Sequence, residues 1–123
     1  MTLPENDDQV LLLHNSRCSK SRATHALLEE REVRFEERCY LEQPLTRTEL
    51  GELRTRLDRP VREWTRRGEA AFAESGLNEH SEESDWLDAI AANPILMERP
   101  IVIRGQRAAV GRPPASVLEL FEQ

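Results

Sequence analysis

Apolar positions are unevenly spaced along this chain, and the spacing changes character several times. In QVLLLHN (9–15) they are nearly continuous, the pattern of a central strand buried on both faces. From Ala23 through Ala26, Leu27 and Leu28 they recur at helical spacing until about Arg31. In EVRFEERCYLE (32–42), Val33 and Phe35 alternate with polar residues before the run from Cys39 to Leu41, which predicts a second strand. Strand, helix, strand in this space leaves a crossover long enough for the two strands to lie parallel.

The segment LTRTELGEL opens a helix expected over about 47–58. Thr46 is placed to accept from the Glu49 N–H while the Glu49 carboxylate reaches back, and Leu45 and Leu50 have the spacing of a hydrophobic staple. Pro60 follows that helix, and helical periodicity then runs on to Asn93 with breaks at Gly68 and Gly76. Trp86, Leu87, Ile90 and Ala91 form the apolar stripe of the last helix in this block. SEESD (81–85) reads as its acidic start, and Trp64 and Trp86 are expected to serve packing. Two short runs, Ile101 to Ile103 and Ala108 to Val110, are joined by RGQR with Gly105 at the first central position, which predicts a hairpin with a type II′ turn. A final helix is expected from Pro113 and Pro114, with Val117, Leu118 and Phe121 on its buried side. The order β, α, β, helices, β, β, α predicts an α/β fold of thioredoxin-like type, βαβ…ββα around a small mixed sheet. It is expected as a single domain over 1–123, with an inserted helical block at about 45–93.

A length of 123 residues is close to the commonest domain size and supports one core. The formal net charge of -6, with 33% charged residues, argues against nucleic acid or an anionic membrane as the main partner. No apolar run approaches the roughly 18 residues a membrane helix needs. The start MTLPENDDQV lacks the basic-then-apolar order of a signal peptide, so a cytoplasmic protein is expected. There, Cys18 and Cys39 are expected as reduced thiols. Metal-ligand spacing, a glycine-rich phosphate fingerprint and an internal repeat are all absent from the sequence.

Any basic cluster in so acidic a chain is a local feature, and one surrounds a cysteine. HNSRCSKSR (14–22) sets Cys18 where the first strand ends and the first helix begins, at the carboxyl edge where open sheets of this kind meet ligands. Amide N–H groups and the positive end of a helix favour a thiolate and attract an anion, and Arg17, Lys20 and Arg22 add positive charge. Cys18 is therefore the candidate nucleophile. Spacing excludes two thiol chemistries: a low-molecular-weight phosphatase loop needs arginine where Thr24 stands, and a dithiol oxidoreductase needs cysteine where Ser21 stands. What remains is a Cys-x-x-Ser monothiol site, for which the second thiol must come from a partner or a small molecule. Cys39, beside Tyr40 and Leu41, is expected to be a small semi-buried strand residue that does not bridge to Cys18. Asn15 and Ser19 are candidates to brace the loop through side-chain bonds to the backbone. His25 and His80 are expected at the surface.

Four motifs in order, HNSRCSKSR, YLEQP (40–44), NPILMERPIVI (93–103) and GRPPASVLEL (111–120), make the chain resemble the ArsC family, the glutaredoxin-coupled arsenate reductases, beyond its first eight residues. The proline usual after HN is Ser16 here. The resemblance implies that Cys18 attacks arsenate as the thiolate to form a covalent adduct, that glutathione attacks the adduct, and that glutaredoxin resolves the mixed disulfide as arsenite leaves. No bound cofactor is implied, with glutathione a co-substrate. Arg66, Arg99 and Arg112 are implied as the oxyanion ligands, their planar forks suiting a tetrahedral dianion; Arg62 and Arg67 are neighbours of Arg66 that compete for its assignment. His14, Asn15, Ser19, Ser21, Arg22 and Pro100 support the site, His14 as an imidazolium or a donor that helps Cys18 ionise. A cis peptide is expected between Arg99 and Pro100, because the thioredoxin-like fold sets a cis-proline beside its active cysteine.

Fold and cysteine alone do not fix a substrate. A monothiol oxidoreductase acting on glutathione mixed disulfides or on another oxyanion is the alternative within the same class. A regulatory binding protein of the Spx type is a second alternative from a different class. Those relatives characteristically carry a Cys-x-x-Cys switch, and Ser21 counts against it, while the three candidate arginines favour the arsenate reductase.

Overall fold

The computed structural model describes residues 2–122, and the chain divides into two compact units: Met1–Gln43 with Arg99–Gln123, and Pro44–Glu98. The helical block expected at about 45–93 falls inside the second.

In the first unit, β1 (Val10–His14), α1 (Ser19–Glu30), β2 (Glu36–Cys39), β3 (Ile101–Arg104) and β4 (Arg107–Val110) precede a terminal 3₁₀ helix (Pro114–Phe121). The sheet order is β2-β1-β3-β4, with β1 parallel to β2 and antiparallel to β3, and β3 antiparallel to β4. All five residues of β1 are buried, as its continuous apolar run requires of a strand with neighbours on both sides. The register sets Leu13 opposite Ile101 and His14 opposite Cys39. One face packs Val10, Leu12, Val102 and Ala109 against Leu28 of α1 and against Val117 and Leu120 of the terminal helix.

Two expectations about buried faces change here. On α1 the buried residues are Ser21, Thr24 and Leu28, while Ala23 and Ala26 are exposed. Small polar side chains hold that face because neighbouring backbone comes close to it, as shown below for Thr24. The terminal helix is of 3₁₀ type and buries Val117 and Leu120, leaving Leu118 and Phe121 half-covered, since three residues per turn shifts the stripe from the α-helical spacing. It is pinned by the hairpin: Arg104 Nη1 and Arg107 Nη2 both donate to the Leu120 carbonyl, at 2.7 and 2.8 Å, and the Arg104 guanidinium lies 5.2 Å from the Phe121 ring. At the hairpin tip Gly105 has φ +56° whereas Gln106 has no positive φ, the signature of the expected II′ turn.

The second unit contains α2 (Arg47–Leu57), α3 (Ala70–Ser75) and α4 (Glu83–Ala92), with 3₁₀ turns at Val61–Trp64 and Pro94–Leu96. Both arms of the α2 capping box are present, Glu49 N–H to Thr46 Oγ1 at 3.1 Å and Thr46 N–H to Glu49 Oε1 at 2.9 Å, and the staple residues Leu45 and Leu50 are buried. α4 starts with a second box, Glu82 with Asp85, which accounts for the acidic string. Leu53, Val61, Trp64, Ile90 and Leu96 are essentially inaccessible and Trp86 is nearly so, so both tryptophans serve packing. Residue Thr65 bridges antiparallel to Met97, which sets the chain around Arg66 beside the chain around Glu98. Among the described residues no helix is long and apolar enough to cross a membrane.

Candidate active site

β1 ends at His14, and the chain turns through Asn15, Ser16 and Arg17 into α1, with Cys18 as the N-cap residue. The turn is tied at several points. The Cys18 N–H donates to the Asn15 carbonyl (3.0 Å), the Arg17 N–H to Asn15 Oδ1 (3.0 Å), and the Asn15 N–H to Ser21 Oγ (3.3 Å). Arg22 Nη1 donates to the Ser16 carbonyl (2.9 Å) from one turn along the helix. Asn15, Ser21 and Arg22 therefore brace the loop as supporting residues. Ser19 does not: it is exposed and makes no side-chain hydrogen bond among the described residues, because the first position of the helix points its side chain outward.

Cys18 is buried, and its side chain makes no capping bond. The amides of Ser19, Lys20 and Ser21 have no carbonyl one turn back inside the helix to donate to, so the thiol stands where a helix offers unpaired N–H groups. Both cysteines are free thiols. Cys39 is exposed at the end of the edge strand β2, not semi-buried as expected, because alternation turns Arg38 inward in its place. The Arg38 Nε donates to the Gln43 carbonyl (2.9 Å), holding the turn after β2.

Arg99 and Arg112 are brought together. Gly111 N–H donates to the Pro100 carbonyl (2.8 Å) and Arg112 Nε to the Arg99 carbonyl (3.0 Å), which extends the β3–β4 pairing past its last strand residues. Arg99 is half-buried with Nε and Nη1 shielded from solvent, and Arg112 is exposed. The Arg99–Pro100 peptide is cis, as expected, and so is Arg112–Pro113, which was not expected. The second Arg-Pro pair in GRPP repeats the first in ERPI, and that repetition was the available signal.

Arg66 lies in the second unit, in contact with the Glu69 carboxylate and with its Nε 4.0 Å from Glu98 Oε1. Its own N–H donates to the Leu96 carbonyl at 2.7 Å. Within that unit its charge is already compensated by two carboxylates. Arg67, its competitor, has its guanidinium 5.2 Å from the Trp86 ring.

His14 is buried with no hydrogen-bond partner for Nδ1 among the described residues. Burial holds its pKa below the ordinary histidine value; the Glu37 carboxylate pulls the other way, and His25 and Arg22 reinforce the burial. Of the two expected forms, imidazolium or donor, this shift disfavours the imidazolium. His25 keeps part of its side chain accessible at the surface and is also engaged by its neighbours. Its Nδ1 is 3.1 Å from Glu29 Oε1, its Nε2 contacts the Glu37 carboxylate, and its ring centroid is 5.5 Å from that of His14 and 5.2 Å from that of Phe35. The i,i+4 spacing to Glu29 could have signalled the first of these contacts. Among the described residues no group of three His, Cys, Asp or Glu side chains could hold a metal ion. A cavity lined by Thr2, Asp8, Gln9, Arg34, Phe35 and Glu36 lies at the opposite ends of β1 and β2 from Cys18 and has no cysteine or histidine in its lining.

A four-stranded mixed sheet flanked by helices, with a free cysteine at the N-cap position of the first helix, is the architecture of a thioredoxin-like protein. Within that class the chain belongs to the ArsC family, whose model matches residues 13–120. It is 43% identical over 114 residues to a protein of Escherichia coli strain K12 named uncharacterized protein YfgD, covering 91% of this chain and 96% of that one. It is 41% identical over 107 residues to the arsenate reductase of Neisseria meningitidis serogroup A, covering 85% and 92%. The solved structure of the arsenate reductase from Vibrio cholerae superposes with a TM-score of 0.87 at 38% identity, covering 91% of this chain and 97% of that one.

Proposed function

We propose that this protein reduces arsenate to arsenite at the expense of thiols, with Cys18 as the nucleophile. The observation that carries the proposal is the position of Cys18, buried at the N-cap of α1, in a chain whose ArsC match begins at residue 13 and whose relatives include named arsenate reductases. Arg99 and Arg112 take the arsenate oxygens, and the bond from Arg112 Nε to the Arg99 carbonyl holds the two arginines side by side.

In the first step the Cys18 thiolate bonds to arsenic(V) and one arsenate oxygen departs as water after protonation. In the second, a glutathione thiolate attacks the Cys18 sulfur; the S–As bond breaks with its electron pair passing to arsenic, which leaves as arsenite, As(III). The two sulfurs are then joined as a Cys18–glutathione disulfide, which glutaredoxin exchanges away. One arsenate and two thiols become one arsenite, one disulfide and one water. No bound cofactor takes part. Arg66 is the third oxyanion arginine by resemblance, but two carboxylates already compensate it in its own unit, so the proposal leans on the other two.

The test is NADPH oxidation coupled through glutathione reductase, with glutathione and glutaredoxin, measured with and without arsenate. Arsenate-dependent oxidation is expected. Oxidation that is independent of arsenate but responds to a glutathione mixed disulfide would transfer the assignment to a monothiol oxidoreductase.

A further inference from the structure

Gly111 follows β4, and its φ lies outside the left-handed region, so its backbone would accept any L-residue. What the position excludes is a side chain. A Cβ built on Gly111 would stand 2.7 Å from Pro100 Cγ and 2.7 Å from Thr24 Oγ1. Carbon contacts are comfortable at about 3.5–4.0 Å, so movement on the order of 1 Å would be forced on one wall or both. One wall is the proline ring next to Arg99. The other is the hydroxyl of a fully buried threonine on α1, the helix that starts at Cys18. That hydroxyl has no hydrogen-bond partner among the described residues, so the Thr24 side chain is held by packing.

The bare Cα of Gly111 is thus where the thiol-bearing helix meets the arginine-bearing segments. We propose that Gly111 is a positioning residue for the oxyanion: by lacking a side chain it lets Thr24 of α1 and Pro100 close on the strand end, and this sets how far Arg99 and Arg112 stand from Cys18. The inference rests on the roles given above to Cys18, Arg99 and Arg112. The two arginines would move together, because Gly111 N–H is bonded to the Pro100 carbonyl and Arg112 Nε to the Arg99 carbonyl.

The experiment is Gly111→Ala, assayed for arsenate reduction and for alkylation of Cys18 by iodoacetamide, with circular dichroism and the thermal midpoint as folding controls. Alkylation needs the thiolate and not the arginines. The expected result is a rise in the KM for arsenate of about tenfold to a hundredfold, with the alkylation rate held within about twofold, as a displacement of about an ångström at reacting groups can cost. Adding Thr24→Ala removes one wall and should recover part of the loss; if Gly111→Ala alone does not fold, the double variant carries the same comparison. Wild-type KM in Gly111→Ala overturns the proposal. A parallel fall in arsenate reduction, alkylation rate and thermal midpoint also overturns it, because that pattern belongs to loss of packing in general. A wild-type protein that reduces no arsenate removes the functional reading first and this inference with it, and the wild-type control separates that case from the other two.

Discussion

Helices α1 and α2 begin in opposite ways. At α2 the chain does what stabilises a helix: Thr46 and Glu49 exchange both capping bonds, an acidic residue occupies the first turn, and Arg54 and Arg56 occupy the last. α4 likewise starts with a capping box, Glu82 with Asp85, and with acidic residues in its first turn. At α1 the N-cap is a cysteine with no capping bond, the first turn holds no acidic residue, and Lys20, the only lysine of the sequence, sits there with Arg22 just beyond. Positive charge at the positive end of a helix is unfavourable, and an uncapped helix start leaves amides unmatched. Both defects would be relieved by a bound anion. The difference teaches that α2 and α4 use their starts for stability, whereas the start of α1 is left uncapped, as the proposed anion site requires.

The comparison is broken most directly at Cys18. Cys18→Ser is expected to reduce arsenate turnover to background while the thermal midpoint stays near wild type; residual turnover would place the nucleophile elsewhere. Next come the arginines. Arg99→Ala and Arg112→Ala should each cost on the order of 1.5–3 kcal/mol in kcat/KM for arsenate, roughly tenfold to a hundredfold, through the loss of a charge-assisted contact. Unchanged kinetics in both would assign the oxyanion to other groups.

The helix starts themselves can then be exchanged in character. Thr46→Ala should lower unfolding free energy by about 1 kcal/mol in denaturant titrations and leave turnover per folded molecule unaltered. Lys20→Glu should do the reverse, adding about 0.3–1 kcal/mol of stability while weakening arsenate use. A variant that loses both stability and activity would mean that Lys20 is needed for the fold.

The smallest effect concerns pH. His14 in the folded chain has a pKa below its ordinary value of 6.5, so the unfolded chain binds the proton first. Stability from this residue is complete above about pH 6.5 and is lost as pH falls from there toward the folded value. Unfolding free energies measured between about pH 7.5 and 5.5 should therefore decline less steeply in His14→Gln than in the wild type. An equal decline would show that other groups carry the dependence.

Periodicity and capping made much of the fold legible. β1, α1, the hairpin and the α2 capping box appear where the residues place them, whereas β2 is confined to Glu36–Cys39 and leaves out Val33, Phe35, Tyr40 and Leu41, because its extent is set by pairing with β1. The buried faces were less legible. Ala23 and Ala26 look like a core stripe, yet Ser21 and Thr24 are the buried residues, since a nearby strand end comes close enough to admit only small side chains. In the candidate site, Cys18 and the arginines were visible as residue types in motifs. Contacts between elements were less so: His25 touches Glu37 across the gap between a helix and a strand, a contact that spacing does not encode.

By itself the sequence determined the order of elements, the single cysteine at the end of the first strand, the absence of a second one at position 21, and the Arg-Pro pairs at both ends of the hairpin. Those are properties of neighbours along the chain, where backbone geometry and side-chain type act directly. Only the tertiary structure decided that Cys39 is exposed, that His14 is buried and favours the neutral ring, and that two carboxylates compensate Arg66. It also decided that Gly111 must lack a side chain. The physical reason is common to all of these: exposure, desolvation and close approach depend on which distant segments pack together.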